Sequence, residues 1–278
     1  MVESNYNIIG LLTDFGPKSS HYISSMKGVI LKINPNVKII DISHHISSFS
    51  IIEASYIIKT TYKYFPPYVV FIIVVDPGVG SYREILTLRT ESNYIFICPN
   101  NGILSVLLET DKISECIKLQ NKDYFLYPIS NTFHGRDIMA PVGAYITKGI
   151  TLNNFGPKFS LNNLLRIPIT YEVKEKKKEI KCTVQYLDSF GNMSTNIQID
   201  NDNNIKGTSF SLNYDDIIKI KIKKQLYTGK YASHFSAVPV NSILCLRGSS
   251  GYFEISINQG NAAKELGVKV GDVIIVNL

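Results

Sequence analysis

Three turns in the first half of the chain set ionisable side chains among residues that end strands. Asp14 lies in Thr13-Asp14-Phe15-Gly16-Pro17. Asp76 lies in Asp76-Pro77-Gly78-Val79-Gly80, with Arg83 close behind. His134 lies in Phe133-His134-Gly135-Arg136-Asp137. A carboxylate, a guanidinium and an imidazole drawn from separate turns can position a water, take its proton and hold charge that develops on oxygen. Arg is always charged, so beside Asp76 it would keep that carboxylate ionised. Each turn also has a plainer reading: Asp-Pro-Gly is turn chemistry, and a lone His between Phe and Gly is more often structural than catalytic.

Other constellations are weaker. His44-His45 with Asp41 invites a metal site, since imidazole and carboxylate are metal ligands. Adjacent histidines on a strand point to opposite faces, so only one of them could serve. His21 and His234 have no evident partners and default to the surface. In the second half, Asp188-Ser189-Phe190-Gly191-Asn192 and Gly248-Ser249-Ser250-Gly251-Tyr252-Phe253-Glu254 each put an aromatic beside small residues and an amide or hydroxyl. A purine needs such a flat apolar face with a few hydrogen-bond partners, although two β-turns with core aromatics would read the same way.

The elements that must carry these turns follow from the apolar pattern. Val69 to Val75 is an unbroken β-branched and aromatic run, which predicts a strand buried on both faces of a parallel sheet. Asp76 is where that strand leaves the sheet, the end at which open α/β sheets bind ligands. Ile8–Leu12 and Val37–Ile42 predict further strands, with helices over Tyr22–Ile33 and Ile51–Tyr64 between them. Strands over Glu84–Thr90 and Tyr94–Cys98, a short helix from Asn100 to Leu108 and an apolar helix over Ile138–Ile146, capped by Thr132 or Asp137, complete the pattern. The expected fold is an α/β/α domain with a mostly parallel sheet over residues 1–167. Alternating segments such as Ile180–Tyr186 and Ile217–Ile222 predict a smaller, β-rich, barrel-like domain over 168–278, ending in a short helix stopped by Gly267 and a last strand.

Composition excludes several classes. The net charge of +6 is dispersed, and the one dense basic run, Lys174–Glu179, is broken by acids, so it suits a solvated hairpin better than a nucleic-acid surface. The four cysteines are far apart and form neither a zinc pair nor a disulfide framework, which fits a reducing compartment. Met1-Val2-Glu3-Ser4-Asn5 does not resemble a signal peptide, and no apolar run is long enough to cross a membrane. The expectation is a soluble cytoplasmic protein that binds neither nucleic acid nor membrane.

Five stretches in order across both halves resemble one family. They are Leu11-Leu12-Thr13-Asp14-Phe15-Gly16, Val74-Val75-Asp76-Pro77-Gly78-Val79-Gly80, Thr132-Phe133-His134-Gly135-Arg136-Asp137, Phe190-Gly191-Asn192 and the run Gly251–Ala263. Together they look like the S-adenosylmethionine hydroxide adenosyltransferases, or adenosine-forming S-adenosylmethionine hydrolases, relatives of the fluorinase and chlorinase. The resemblance implies hydrolysis of S-adenosylmethionine to adenosine and methionine by hydroxide attack at the ribose 5′ carbon. It implies Asp76, Arg83 and His134 as the catalytic set and Asp14 on the ribose hydroxyls. Asp188 would take the methionine ammonium, with Phe190 and Asn192 on the adenine. Ser249, Ser250, Ile257 and Gln259 would line the adenine mainly through backbone, with Tyr252 packing nearby. It further implies a homotrimer with sites at subunit interfaces, and neither metal nor other cofactor.

The halogenating relatives resemble this chain less. They read tyrosine, threonine and Tyr-Ser where this chain has Asp76, Val79 and His134-Gly135. A carboxylate repels a halide but can accept a proton from water. Two departures from the family are Ser19-Ser20-His21, where an acid near the methionine tail is usual, and Asn100 in place of Asp before Asn101-Gly102. Two alternatives stand beside the hydrolase: a non-catalytic adenosine or S-adenosylmethionine binder, and a metallohydrolase built on His44, His45 and Asp41.

Overall fold

The computed structural model describes residues 6–167, 169 and 171–278. The chain forms two compact units, Met1–Ile167 and Pro168–Leu278. Pro168, where the sequence reading puts the boundary, and the N-terminal Met1–Asn5 lie outside the described residues.

In the first unit, β1 (Ile8–Thr13), α1 (Ser20–Ile33), β2 (Lys38–Ser43), α2 (Ile51–Thr61) and β3 (Val69–Val74) follow one another as repeated strand-helix units. β4 (Ile85–Thr90), β5 (Ile95–Pro99) and β6 (Ile113–Lys118) then extend the sheet to the order β2-β1-β3-β5-β4-β6. β2, β1, β3 and β5 are parallel, and β4 runs against both its neighbours. The mostly parallel α/β sheet is therefore the one expected.

The unbroken apolar run of β3 has a direct cause. Val70, Ile72 and Val74 face a core packed by α1 and by α3 (Ala140–Thr147). Val69, Phe71 and Ile73 face a second core under α2 and the 3₁₀ segment Ile103–Glu109. Both faces of the strand are covered, so neither can be polar. α1 presents Met26 and Ile30 to the first core and buries Ile23 at the same helical spacing. Ser50 caps α2 by accepting from the Glu53 N–H, and Glu53 reaches back to the Ser47 N–H, a variant of the Ser-x-x-Glu capping box.

Four details differ from the sequence reading. β6 is not foreseen there. The helix expected over Ile51–Tyr64 ends at Thr61 and finishes in a 3₁₀ turn, Tyr62–Tyr64. The helix expected from Asn100 is the 3₁₀ segment. Finally, α3 is entered through a π-helical turn, Gly135–Met139, and no side chain caps it.

The second unit is all but helix-free. β7 (Tyr171–Lys174) and β8 (Glu179–Leu187) form a hairpin around the Lys-rich run. β9 (Met193–Gln198), β10 (Ile217–Ile222), β11 (Gln225–Tyr231), β12 (Ile243–Arg247), β13 (Tyr252–Ile257), the five-residue α4 (Ala262–Leu266) and β14 (Val273–Asn277) follow. Pairing of β14 with β8 closes seven strands, β14-β10-β11-β12-β13-β9-β8, into a barrel, with β7 attached to β8. β10 shows the period of two that a barrel wall needs: Ile218, Ile220 and Ile222 are buried, while Lys219 and Lys221 are exposed. Among the described residues, no helix is long and apolar enough to cross a membrane.

Candidate active site

β1 and β3 are neighbours in register, Thr13 opposite Val74, so Asp14 and Asp76 leave the sheet at the same edge. β2 lies on the other side of β1, which makes this pair the point where the strand order reverses. Ligands bind at such crevices because two loops diverge there.

The loop after β3 folds back so that Arg83 grips Asp76. Arg83 Nε donates to Asp76 Oδ1 at 2.7 Å and Oδ2 at 2.9 Å, and Nη2 also donates to Oδ2. Both side chains are withdrawn from solvent, Asp76 at 5% and Arg83 at 10% exposure, so this is a buried, bidentate pair. Arg83 Nη2 also lies 3.1 Å from His134 Nδ1. The guanidinium can only donate, so Nδ1 is the acceptor and a neutral His134 carries its proton on Nε2. Burial first, and then the positive charge of Arg83, push the His134 pKa below its ordinary value, against the opposing pull of Asp76 and Asp137.

Neighbouring backbone holds this arrangement. Asn101 Nδ2 donates to the Val75 carbonyl at 2.8 Å, immediately before Asp76. Gly80 has φ of 80°, and a Cβ there would stand 2.4 Å from the Asn131 carbonyl oxygen. Only glycine lets the Asp76–Arg83 loop lie against the segment leading to His134. Gly135 packs as closely on β3, since a Cβ there would meet Val74 Cγ1 at 2.9 Å. Arg136 and Asp137 form a separate pair, with Arg136 Nε donating to Asp137 Oδ1 at 2.6 Å. Asp137 is fully buried and accepts the Ser130 N–H, so it braces the preceding loop and does not cap α3.

Asp14 accepts the Phe49 N–H at 2.8 Å. Burial raises its pKa, the Phe49 bond opposes this, and the nearby charge of Asp76 adds to the rise. Asp14, Phe15, Tyr22, Phe49, Asp76, Val79, Phe133 and His134 are among the residues lining one cleft of about 240 Å³. Phe49 was missed in the sequence; it has φ of 67°, uncommon for a bulky side chain, and follows Ser47-Ser48 in the lead-in to α2.

β2 ends at Ser43, so His44 and His45 are not on a strand and the opposite-face argument does not apply. His44 Nδ1 is 2.9 Å from Thr13 Oγ1, Nε2 is 3.0 Å from Asp41, and its carbonyl accepts the Gly16 N–H. The Thr13 contact at Nδ1 and the Gly16 N–H on the His44 carbonyl thus hold the loop that carries Asp14. Among the described residues, no three of His, Cys, Asp and Glu converge as metal ligands would.

In the barrel, Asp188 builds its own turn. Oδ1 accepts the N–H groups of Phe190 and Asn192, each at 2.9 Å, and Oδ2 accepts Asn192 Nδ2 at 2.8 Å. Gly191 has φ of 88° and packs on Asn261, the cap of α4. Phe190 stands 75% exposed, whereas Tyr252 is buried. β13 pairs with β9 with Tyr252 opposite Gln198 and Ile255 opposite Met193. That register puts Ser249, Ser250 and Tyr252 at one end of β13, and Gln259 at the other, two residues before Asn261. Glu254 lies between these ends, within 3.4 Å of Ser194 Oγ and 3.3 Å of Ser256 Oγ. Burial, and then the charge of Asp188, raise its pKa. The sequence reading assigned Glu254 no role.

Residues 9–156 match the family model of the SAM hydroxide adenosyltransferase N-terminal domain, and residues 182–275 that of its C-terminal domain. A relative from Methanocaldococcus jannaschii, named (R)-S-adenosyl-L-methionine hydrolase, is 36% identical over 96% of this chain and 95% of its own. A fluorinase from Actinopolyspora mzabensis is 22% identical over 95% of each chain. The crystal structure of an uncharacterised conserved protein from Thermotoga maritima superposes with a TM-score of 0.87 at 35% identity, covering 97% of this chain and all of that one.

Proposed function

We propose that this chain, which belongs to the SAM hydroxide adenosyltransferase family, hydrolyses S-adenosyl-L-methionine to adenosine and L-methionine. The observation that carries the reading is the Asp76–Arg83–His134 set, its ion pair withdrawn from solvent, with Asp76 and His134 beside Asp14 on one cleft. The relatives' names specify the (R) epimer at sulfur, and we take that as the substrate here.

The chemistry follows from the substrate and these side chains. The sulfonium is already an activated leaving group. When water oxygen bonds to the ribose 5′ carbon, the carbon–sulfur pair returns to sulfur as the neutral thioether of methionine. No acid is needed on that side. The difficulty is the nucleophile, and a water held in line and relieved of its proton supplies what is missing. Since His134 Nδ1 is occupied by Arg83, its Nε2–H can only donate, so it orients the water. Asp76 is then the acceptor of the water proton, which passes on to solvent. Arg83 holds both in place.

Asp14 holds the ribose hydroxyls through a carboxylate–diol contact. The barrel supplies Asp188 for the substrate ammonium and Phe190 and Asn192 for adenine, with Ser249, Ser250, Tyr252 and Gln259 lining the purine. The active assembly is a homotrimer with sites at subunit interfaces. Phe49 at 67% exposure, Tyr82 at 105% and Phe190 at 75% support this, being large rings left uncovered in the single chain. Light scattering at the mass of three chains tests it, and a monomer at assay concentration contradicts it. Four buried thiols support a cytoplasmic location.

Chromatography of the purified chain with each sulfur epimer, chelator, and separately chloride or fluoride tests the reaction. The expected result is equal adenosine and methionine, unaffected by halide or chelator. A 5′-halo nucleoside would move the chain to its halogenating relatives. Saturable binding without products would make it a binding protein.

A further inference from the structure

We infer that Asn100 and Asn101, adjacent residues at the end of β5, are positioning residues that clamp both ends of the Asp76–Arg83 loop and so hold its ion pair on His134. Their role rests on the proposed reaction, because the set they hold is the one assigned to activating the water.

The strand order explains why this dipeptide can do so. β5 lies between β3 and β4, parallel to the first and antiparallel to the second. The chain leaving β3 at Val74 must therefore cross the end of β5 to enter β4 at Ile85, and residues 76–83 make that crossing. β5 stops at Pro99, so Asn100 and Asn101 stand between the two ends of the loop. Asn101 Nδ2 donates to the Val75 carbonyl at 2.8 Å, one residue before Asp76. The Asn100 N–H donates to the Glu84 carbonyl at 2.9 Å, and its Nδ2 to Glu84 Oε2 at 3.4 Å, one residue after Arg83. Consecutive Cα atoms are held about 3.8 Å apart across a trans peptide, so two neighbouring asparagines fix the spacing of the loop's ends.

Both positions use the donor and the acceptor of an amide. Asn100 is buried; its Nδ2 also donates to the Asn163 carbonyl at 3.3 Å and its Oδ1 accepts the Leu165 N–H at 3.0 Å. Asn101 Oδ1 accepts the Ile103 N–H at 3.4 Å. A carboxylate in either place could accept but not donate. At position 100 it would also face Glu84, whose own N–H first, and the Asn100 amide and Lys118 after it, hold that carboxyl below its ordinary range against burial.

Arg83 has to serve Asp76 and His134 at once. The ion pair by itself closes the loop but leaves it free to shift against His134, which belongs to another segment. Tying both ends to β5 removes that freedom. Asp14 sits on a separate loop and is held by the Phe49 N–H, so the clamp does not touch it.

The experiment measures kcat, KM and the NMR titration of the His134 imidazole in the full chain. It compares the wild type, Asn101→Ala, Asn100→Asp and Asn100→Asp combined with Glu84→Gln. A misplacement of about 1 Å can cost about 10²-fold in rate. Asn101→Ala is expected to lower kcat by about 10- to 100-fold with KM little changed. Its His134 midpoint is expected to rise, because Arg83 opposes the imidazolium while Asp76 and Asp137 favour it. Asn100→Asp is expected to lower kcat too, and Glu84→Gln, which returns a donor to that contact, to restore part of the loss. Should Asn101→Ala fail to fold, Asn100→Asp and its rescue carry the test. Wild-type kcat in Asn101→Ala, or a lowered kcat with the His134 titration unmoved, overturns the inference. A double variant no faster than Asn100→Asp overturns it for Asn100. A wild type that forms no adenosine overturns the proposed reaction instead, and the His134 titration still reads the clamp.

Discussion

Asp76→Asn is expected to lower kcat for adenosine formation by about 10²- to 10⁴-fold, the usual contribution of a positioned general base, while the substrate still binds. Asn keeps the size of the side chain and one acceptor for Arg83, but it cannot take a proton. Asn is also the informative choice on stability grounds. Asp76 and Arg83 are both almost fully withdrawn from solvent. Asp76→Ala would leave a buried guanidinium uncompensated, which costs about 3–5 kcal/mol and confuses unfolding with lost chemistry. Asn also removes the negative charge, but its Oδ1 still accepts one Arg83 hydrogen bond, so its cost stays below that of Ala at about 1–3 kcal/mol, a fall in Tm of about 2–12 °C. Single-turnover kinetics beside a binding isotherm separate the two effects. Adenosine release from Asp76→Asn at the wild-type rate would remove Asp76 from the proton-handling role.

The second large effect concerns His134 and pH. Its folded-state pKa lies below the ordinary histidine value, through burial first and the Arg83 charge second. The neutral form is therefore favoured by folding. The corresponding stability is fully present above the unfolded value near 6.5 and is lost as pH falls through the lower folded value. Protonation of Nδ1 would set an imidazolium against Arg83 and break the contact that holds the ring. We expect kcat/KM to stay level from neutral pH down to about 6.5 and to fall only below it. His134→Gln is expected to lower kcat by about 10²-fold, the scale of one lost orienting donor, and to abolish the acid limb assigned to His134. An unchanged acid limb in that variant, or wild-type kcat, would contradict the assignment.

How much of this was legible in the sequence depended on whether a residue's setting was local. β3 announced itself because both of its faces are covered, and Asp76 could be placed at its end because the breakers follow at once. α1 was legible from the spacing of Ile23, Met26 and Ile30. β6 was not, because it is an edge strand whose Ser114, Glu115 and Lys118 read as surface. Glu115 in fact pairs with Arg89 on β4, a partner 26 residues away. His44 looked like a metal ligand for a related reason: Asp41 is its near neighbour in sequence, but the Thr13 hydroxyl on its Nδ1 is brought within reach only by the pairing of β1 with β2. The Phe49 N–H on Asp14 was invisible because it depends on a left-handed backbone at a phenylalanine. Asp188 was read as a ligand group alone, whereas most of its acceptor capacity goes into its own turn. Side chains that serve nearby backbone and those that serve a substrate have the same letters, and the hydrogen-bond count distinguishes them.

The identity of the attacking atom and the bond it breaks are the centre of this account, and solvent oxygen tracing tests both at once. A single turnover in ¹⁸O-labelled water, followed by mass spectrometry of both products, should place one heavy oxygen in the 5′ hydroxyl of adenosine and none in methionine. Label in the amino-acid product, or adenosine released without it, would mean that water does not attack the 5′ carbon, and the roles given to Asp76, Arg83 and His134 would fall with it.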